Sequence, residues 1–125
     1  MNVTPIYAGL LGLLLTILSV RVIAGRRTFG ISLGTGANLE LERRMRAQGN
    51  LAEYAPIGLL LLAMLEVNGG HAITLHSLGS LLLLGRLMHA WALSFERRSP
   101  FYRTAGMALT LTSIGMASLF NLVVP

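Results

Sequence analysis

The sequence predicts an all-α integral membrane protein, a four-transmembrane-helix bundle forming one domain over residues 1–125. Three observations predict it. Hydrophobic residues make up 54% of the 125 residues and charged residues only 12%, about half the charged share of a soluble domain. Four apolar stretches lie at about 5–24, 47–67, 71–95 and 103–124, each near the roughly 20 residues that cross a bilayer. Eight of the ten arginines lie in or at the edge of two of the connections between these stretches, and the 67–71 turn and both termini hold none.

The first stretch runs from Pro5 to about Ala24, and its one charge is Arg21, a turn from the end. A signal peptide would open with a positively charged segment. Met1 to Pro5 holds no basic side chain, so the stretch reads as a retained membrane helix. Arg26 to Asn38 is polar and Gly-rich and reads as a loop. Asn38 is placed to cap the second helix, with Glu40 favouring its first turn. That helix starts polar and turns apolar from Leu51 to Val67, so its first three turns project from the bilayer or lie at its surface. Pro56 falls inside it and should kink it. Val67 to Gly70 is a tight turn. The third stretch, His71 to Phe95, is interrupted by Arg86 and His89. Glu96 to Pro100 breaks the chain, and the last helix runs from about Tyr102 to Val124. There Ala105, Ala108, Thr112 and Gly115 recur at helical spacing and read as a close-packing face.

All ten basic residues are Arg and all five acidic residues are Glu, for a net charge of +5. Arg26, Arg27, Arg43, Arg44 and Arg46 fall between the first and second spans. Arg97, Arg98 and Arg103 fall between the third and fourth. Short cytoplasmic loops collect Arg and Lys, so both basic loops should face the cytoplasm and both termini the other side. The same bias is the plain explanation of most of these arginines.

The composition excludes several functions. With no Cys, disulfide frameworks, thiolate metal sites and cysteine nucleophiles are out. No second ligand stands near His89 at metal-binding spacing, so no metal is expected. Gly34-Thr-Gly36 follows no strand and makes no nucleotide loop. Four apolar spans exclude a nucleic-acid partner in favour of the lipid bilayer. A small proton-coupled exporter would need a carboxylate in its first span, and none is present.

Charges inside a span cost about 2.5–3.5 kcal/mol each on insertion scales, so Arg46, Asn50, Glu53, Arg86 and His89 need a reason. At about 100° per residue, Arg43, Arg46, Asn50 and Glu53 share an arc of about 80°. They form a polar stripe leading inward from the cytoplasmic surface. Glu53 lies about 10 Å deeper than Arg46, and Arg86 about 13 Å from the end of its own helix, at 1.5 Å rise per residue. Similar depth on antiparallel neighbours predicts a buried Glu53–Arg86 ion pair. His89 is one turn from Arg86 on the same face. Arg103, with Arg26 and Arg27, could form a basic rim for an anionic ligand. Tyr54 and Tyr102 offer hydroxyls near that level. A basic rim with a deeper carboxylate suits a zwitterionic or polyanionic ligand.

The run Arg46-Ala-Gln-Gly-Asn50-Leu-Ala-Glu53-Tyr-Ala-Pro56 resembles the signature of the MAPEG family, membrane-associated proteins in eicosanoid and glutathione metabolism. Gly85-Arg86-Leu-Met-His89 is similar to the family's third-helix segment, and Val22-Ile-Ala-Gly-Arg26-Arg27 resembles the end of its first helix. The resemblance covers nearly the whole chain and looks most like the family's small bacterial branch, which implies a bacterial inner membrane. It implies a homotrimer of four-helix bundles that binds glutathione, as co-substrate, between subunits near the cytoplasmic face. By position, Arg46, Asn50 and Glu53 would bind glutathione, Arg86 and His89 would support or line that site, and Tyr54 would join it. Arg27 and Arg103 would be the catalytic residues, stabilising the thiolate. Leu93 stands where the family has Tyr, and Arg103 is shifted by about one residue from some members. The implied activity is a microsomal-type glutathione transferase or peroxidase acting on apolar electrophiles drawn from the bilayer. The alternative is a non-catalytic lipid- or glutathione-binding scaffold of the same fold.

Overall fold

The protein's structure, a computed structural model, describes residues 3–95 and 100–123. It contains α1 (Thr4–Phe29), α2 (Leu39–Val67), α3 (Ala72–Ser94) and α4 (Phe101–Val123), the four helices expected. The basic stretch around Arg97 and Arg98 lies outside the described residues. By length and composition α1, α2 and α4 can cross a membrane. Along α3 the apolar run is diluted by His76, Arg86 and His89.

The ends of each helix follow from local chemistry. Pro5 stands in the first turn of α1, where its missing N–H leaves no bond unmade. The Val3 and Thr4 N–H groups donate to the two Glu66 carboxylate oxygens at 2.6 and 2.7 Å. A carboxylate is thereby set at the positive end of the α1 dipole. Helix α1 continues to Phe29, so Arg26 and Arg27 are in its last turn, not in a loop as expected. Nothing in the sequence stops the helix before Gly30, whose φ of +66° forms the left-handed cap that glycine adopts readily. The Arg26 guanidinium then donates to the Ile31 and Gly34 carbonyls at 3.2 and 3.0 Å, folding the connection back onto the helix end. Asn38 caps α2 as expected, its side chain accepting from the Leu41 N–H at 2.9 Å. Helix α2 remains continuous through Pro56. The turn into α3 closes with the Gly70 N–H donating to Leu65 O at 2.8 Å, and the His71 side chain caps α3.

Helices α2 and α3 each touch all three others, whereas α1 and α4 stand on opposite flanks and do not touch among the described residues. The closest packing is α3 on α4. A Cβ on Gly85 would lie 2.7 Å from Gly106 O and 2.6 Å from Thr110 Oγ1. A Cβ on Gly106 would lie 2.7 Å from Gly85 O. The two backbones therefore touch, as small residues permit in membrane helices.

The buried face of α4 is Gly106, Thr110, Ser113 and Ala117. This corrects the expected face: Ala108, Thr112 and Gly115 are exposed, and a Cβ on Gly115 would meet nothing within 4 Å. Both sets are small and both repeat helically. Hydrogen bonding decides between them, since Ser113 Oγ donates to Leu78 O at 2.8 Å and Thr110 Oγ1 accepts from Arg86 at 2.9 Å.

At the opposite end of the bundle from the arginine cluster, the Tyr7 hydroxyl sits 3.1 Å from His76 Nδ1 and 3.0 Å from both His76 O and Ser80 Oγ. Its ring occupies the space that a Cβ on Gly79 would need. Tyr7→Phe should cost about 1 kcal/mol, the net worth of an ordinary hydrogen bond. Gly79→Ala should cost more, because the ring itself must move. Thermal unfolding in detergent checks both, and an equal or smaller loss for Gly79→Ala would contradict this packing.

Candidate functional site

Where α2 starts, α3 ends and α4 starts, two adjoining cavities open. One, of about 300 Å³, is lined by Leu39, Glu42, Arg43, Arg46, Asn50, His89, Leu93 and Arg103. The other, of about 430 Å³, is lined by Asn50, His89, Pro100, Arg103, Thr104 and Met107. Asn50, His89 and Arg103 border both. The close α3–α4 crossing puts His89 and Arg103 on the same opening. The polar start of α2 brings Arg43, Arg46 and Asn50 to its other side.

Arg86 lies behind this opening and is 1% exposed. Its Nη1 donates to the Asn50 side-chain oxygen in a short bond and approaches Asn50 O at 3.4 Å. Its Nε donates to Thr110 Oγ1 at 2.9 Å, Nη2 lies 3.1 Å from Met107 Sδ, and the guanidinium carbon stands 5.3 Å from the Tyr54 ring centroid. Each of these partners is neutral. The expected Glu53–Arg86 ion pair is therefore corrected: the partner is Asn50. At about 100° per residue, Glu53 stands roughly 140–160° around α2 from Leu51, Ala55 and Gly58, three of the residues that it buries in the bundle. Depth was matched but the face was not. Glu53 instead lies 3.6 Å from Arg46, with both side chains more than half exposed, and such a pair contributes little.

The structure brings together Arg46, Asn50, His89 and Arg103 on the cavities, with Arg86 and Tyr54 directly behind. It does not bring Arg26 or Arg27 to them within one chain. Arg26 is bonded to its own loop, and Arg27 is exposed on the last turn of α1. The reason is topological, since α1 and α4 lie on opposite flanks. Tyr102 is exposed against Phe101 and lines neither cavity. Sequence reasoning missed Glu42 on the rim and Met107 and Thr110 around Arg86. Thr110 had a signal, being one turn from Gly106 on the packed face of α4. For Met107 and Glu42 the sequence pattern offered none.

Among the described residues the opening is lined by three guanidinium groups and one carboxylate. Arg43, Arg46 and Arg103 present guanidinium groups, which match carboxylate and phosphate oxygens in pairs. Glu42 supplies a counter-charge for a cationic group at the rim. Arg86 adds a fixed positive field from behind, strengthened by the low dielectric of a buried position. Among the described residues, no group of three or more His, Asp or Glu could hold a metal ion.

Residues 4–123 match the MAPEG family. The inner membrane protein YecN of Escherichia coli strain K12 is 36% identical over 120 residues, spanning 96% of this chain and 90% of YecN. YecN of Escherichia coli O6:H1 strain CFT073 shows the same identity and coverage.

Proposed function

The chain belongs to the MAPEG family, and from that premise we propose that it binds glutathione in the α2–α3–α4 opening and activates its thiol. The observation that carries the reading is the convergence of Arg43, Arg46 and Arg103 on one cavity, where Glu42 is the one carboxylate among the described lining residues. Glutathione has two carboxylates, one ammonium and one thiol. The arginines would take the carboxylates, and Glu42 or Glu53 the ammonium. Asn50 would bind from the position it holds as partner of Arg86, and His89 would line the floor.

The protein supplies positioning and electrostatics, and glutathione supplies the nucleophile. A thiol near Arg103, with Arg86 behind, loses its proton to solvent at lower pH, because a nearby cation stabilises the thiolate. The thiolate then attacks an electrophilic carbon of an apolar substrate entering from the bilayer, forming an S–C bond as the leaving group departs with its electron pair, or it attacks a peroxide oxygen, breaking the O–O bond to give the alcohol and a sulfenic acid that a second glutathione converts to the disulfide and water. The reaction class is glutathione transfer or peroxide reduction. In this reading α3 is the fourth membrane span, both termini lie outside the cytoplasm, and three copies assemble with the opening at their interfaces. Assembly would be the route by which Arg27 reaches a neighbour's site. The location is a bacterial inner membrane, as the name of the YecN relative states for that protein.

One observation favours a second reading, a non-catalytic glutathione- or lipid-binding scaffold. Leu93 lines the cavity, so a side chain without a hydroxyl stands at the opening. Thiolate absorbance of bound glutathione, followed against pH, tests the first reading. The expected result is a thiol pKa below that of free glutathione, moving back towards the free value in Arg103→Gln, with both proteins measured at saturating glutathione. A bound thiol that titrates like the free one in both proteins would favour the scaffold.

A further inference from the structure

We propose that the groove between α1 and α3 is a binding site for one anionic phospholipid, an acyl chain lying in the groove and the phosphate held by Arg21. The groove has a volume of about 490 Å³ and among the described residues shares no lining with the α2–α3–α4 cavities. The site requires that α1 and α3 lie in a membrane, and it is independent of glutathione chemistry.

The two helices run parallel here. Tyr7 meets His76 and Ser80 at one end, and Arg21 meets Ser94 and Phe95 at the other. On α1 the lining residues Leu14, Ile17, Leu18 and Arg21 follow helical spacing along one face, about 10 Å long at 1.5 Å rise per residue. Leu87, Ala90, Trp91, Ser94 and Phe95 do the same on α3. The floor is Leu18 and Ala90, 4% and 5% exposed. The walls are Ile17, Leu87 and Trp91, between 42% and 58% exposed. A groove with a closed apolar floor and open apolar walls faces sideways to hydrocarbon and fits a chain of methylene groups.

Its charged end gives the occupant its class. Among the described residues Arg21 is the one charged residue lining the groove, and it stands where the aromatic pair Trp91 and Phe95, ring centroids 4.3 Å apart, ends the apolar part. A Trp at that position marks headgroup level. The guanidinium carbon lies 4.9 Å from the Phe95 ring centroid, which orients the fork. Nη2 reaches Ser94 O only at 3.5 Å, at the edge of hydrogen-bond range. A guanidinium carries five N–H donors in a plane that matches two oxygens of a phosphate. A lipid with a net negative head complements this charge, whereas a zwitterionic head brings a competing cation. Basic pockets between membrane helices recognise anionic headgroups by this means.

Native mass spectrometry of the purified protein, with equal amounts of phosphatidylglycerol and phosphatidylcholine added, tests the site. Wild type should retain phosphatidylglycerol preferentially, by about five-fold for one cation at the surface. Arg21→Gln should lose the preference and Arg21→Lys should keep most of it, with glutathione binding unchanged in both. Equal retention of the two lipids by wild type, or an unchanged preference in Arg21→Gln, would overturn the proposal. The absence of Cys allows one further control, since Leu87→Cys would be the sole thiol. Disulfide-linked dimers of that variant in native membranes would show a second copy covering the groove, and would also overturn it.

Discussion

Asn50→Ala is expected to cost about 2–3 kcal/mol of stability, the range for a hydrogen bond to a charged group, while Glu53→Ala changes stability by less than about 0.5 kcal/mol, as for an exposed ion pair. The contrast follows from which residue meets Arg86. Asn50 is buried and supplies both its side-chain oxygen and its backbone carbonyl to the guanidinium. Removing the amide leaves a charge that is 1% exposed with Thr110 Oγ1, the Asn50 carbonyl, a thioether and a ring face. Glu53 is over half exposed and pairs with the equally exposed Arg46. Denaturant unfolding of both variants in the same detergent measures the difference. A larger loss for Glu53→Ala would restore the buried ion pair and refute the partner assignment. Arg86→Met is a useful third variant. It removes the charge while filling much of the space, so it should cost less stability than Asn50→Ala and still weaken anion binding.

Gly106→Val is expected to cost about 3 kcal/mol or more, at or beyond the top of the range for overpacked sites. A Cβ at Gly106 would lie 2.7 Å from Gly85 O and 2.8 Å from His89 N. Backbone atoms cannot rotate away as a side-chain tip can, so α3 and α4 must separate. Separation breaks the Arg86–Thr110 bond and moves His89 off the cavity, so site occupancy should fall together with stability. Gly85→Val should act alike, since its Cβ meets Gly106 O and Thr110. Gly115→Val is the control, on the exposed face with nothing within 4 Å. Thermal unfolding midpoints decide it. A Gly106→Val protein as stable as Gly115→Val would mean that the two helices do not cross at these glycines.

The sequence carried the four helices because a bilayer imposes long apolar runs, and punctuation such as Asn38 and Gly70 is read locally. The end of α1 lies beyond the expected one because polarity alone does not end a helix. A helix leaving a membrane continues until something stops it, and here that is Gly30. The level of the polar residues was legible from rise per residue, which is why Asn50, His89 and Arg86 do come together. Facing was less legible. Two small-residue stripes ran along α4, and the choice between them depended on Thr110 and Ser113 finding partners on α3. The same ambiguity placed Glu53 opposite Arg86, since a shared arc on one helix does not say which edge of it faces the neighbour. The sequence groups Arg26 and Arg27 with Arg103 at one basic rim, but their distance from Arg103 depends on which flank α1 occupies, and α1 does not touch α4 among the described residues.

The most direct measurement is a calorimetric titration of glutathione into the purified protein in detergent, run in parallel on wild type and on the Arg46→Ala, Arg103→Ala double variant. Both arginines line the cavity without supporting the core, so the double variant should keep its fold, which circular dichroism and unfolding verify. Wild type should bind saturably and the double variant at least about ten-fold more weakly, since each charge-assisted hydrogen bond removed is worth about 1.5–3 kcal/mol before solvent screening. A folded wild-type protein that takes up no glutathione, or a double variant that binds it equally well, would refute the assignment of this opening as the glutathione site.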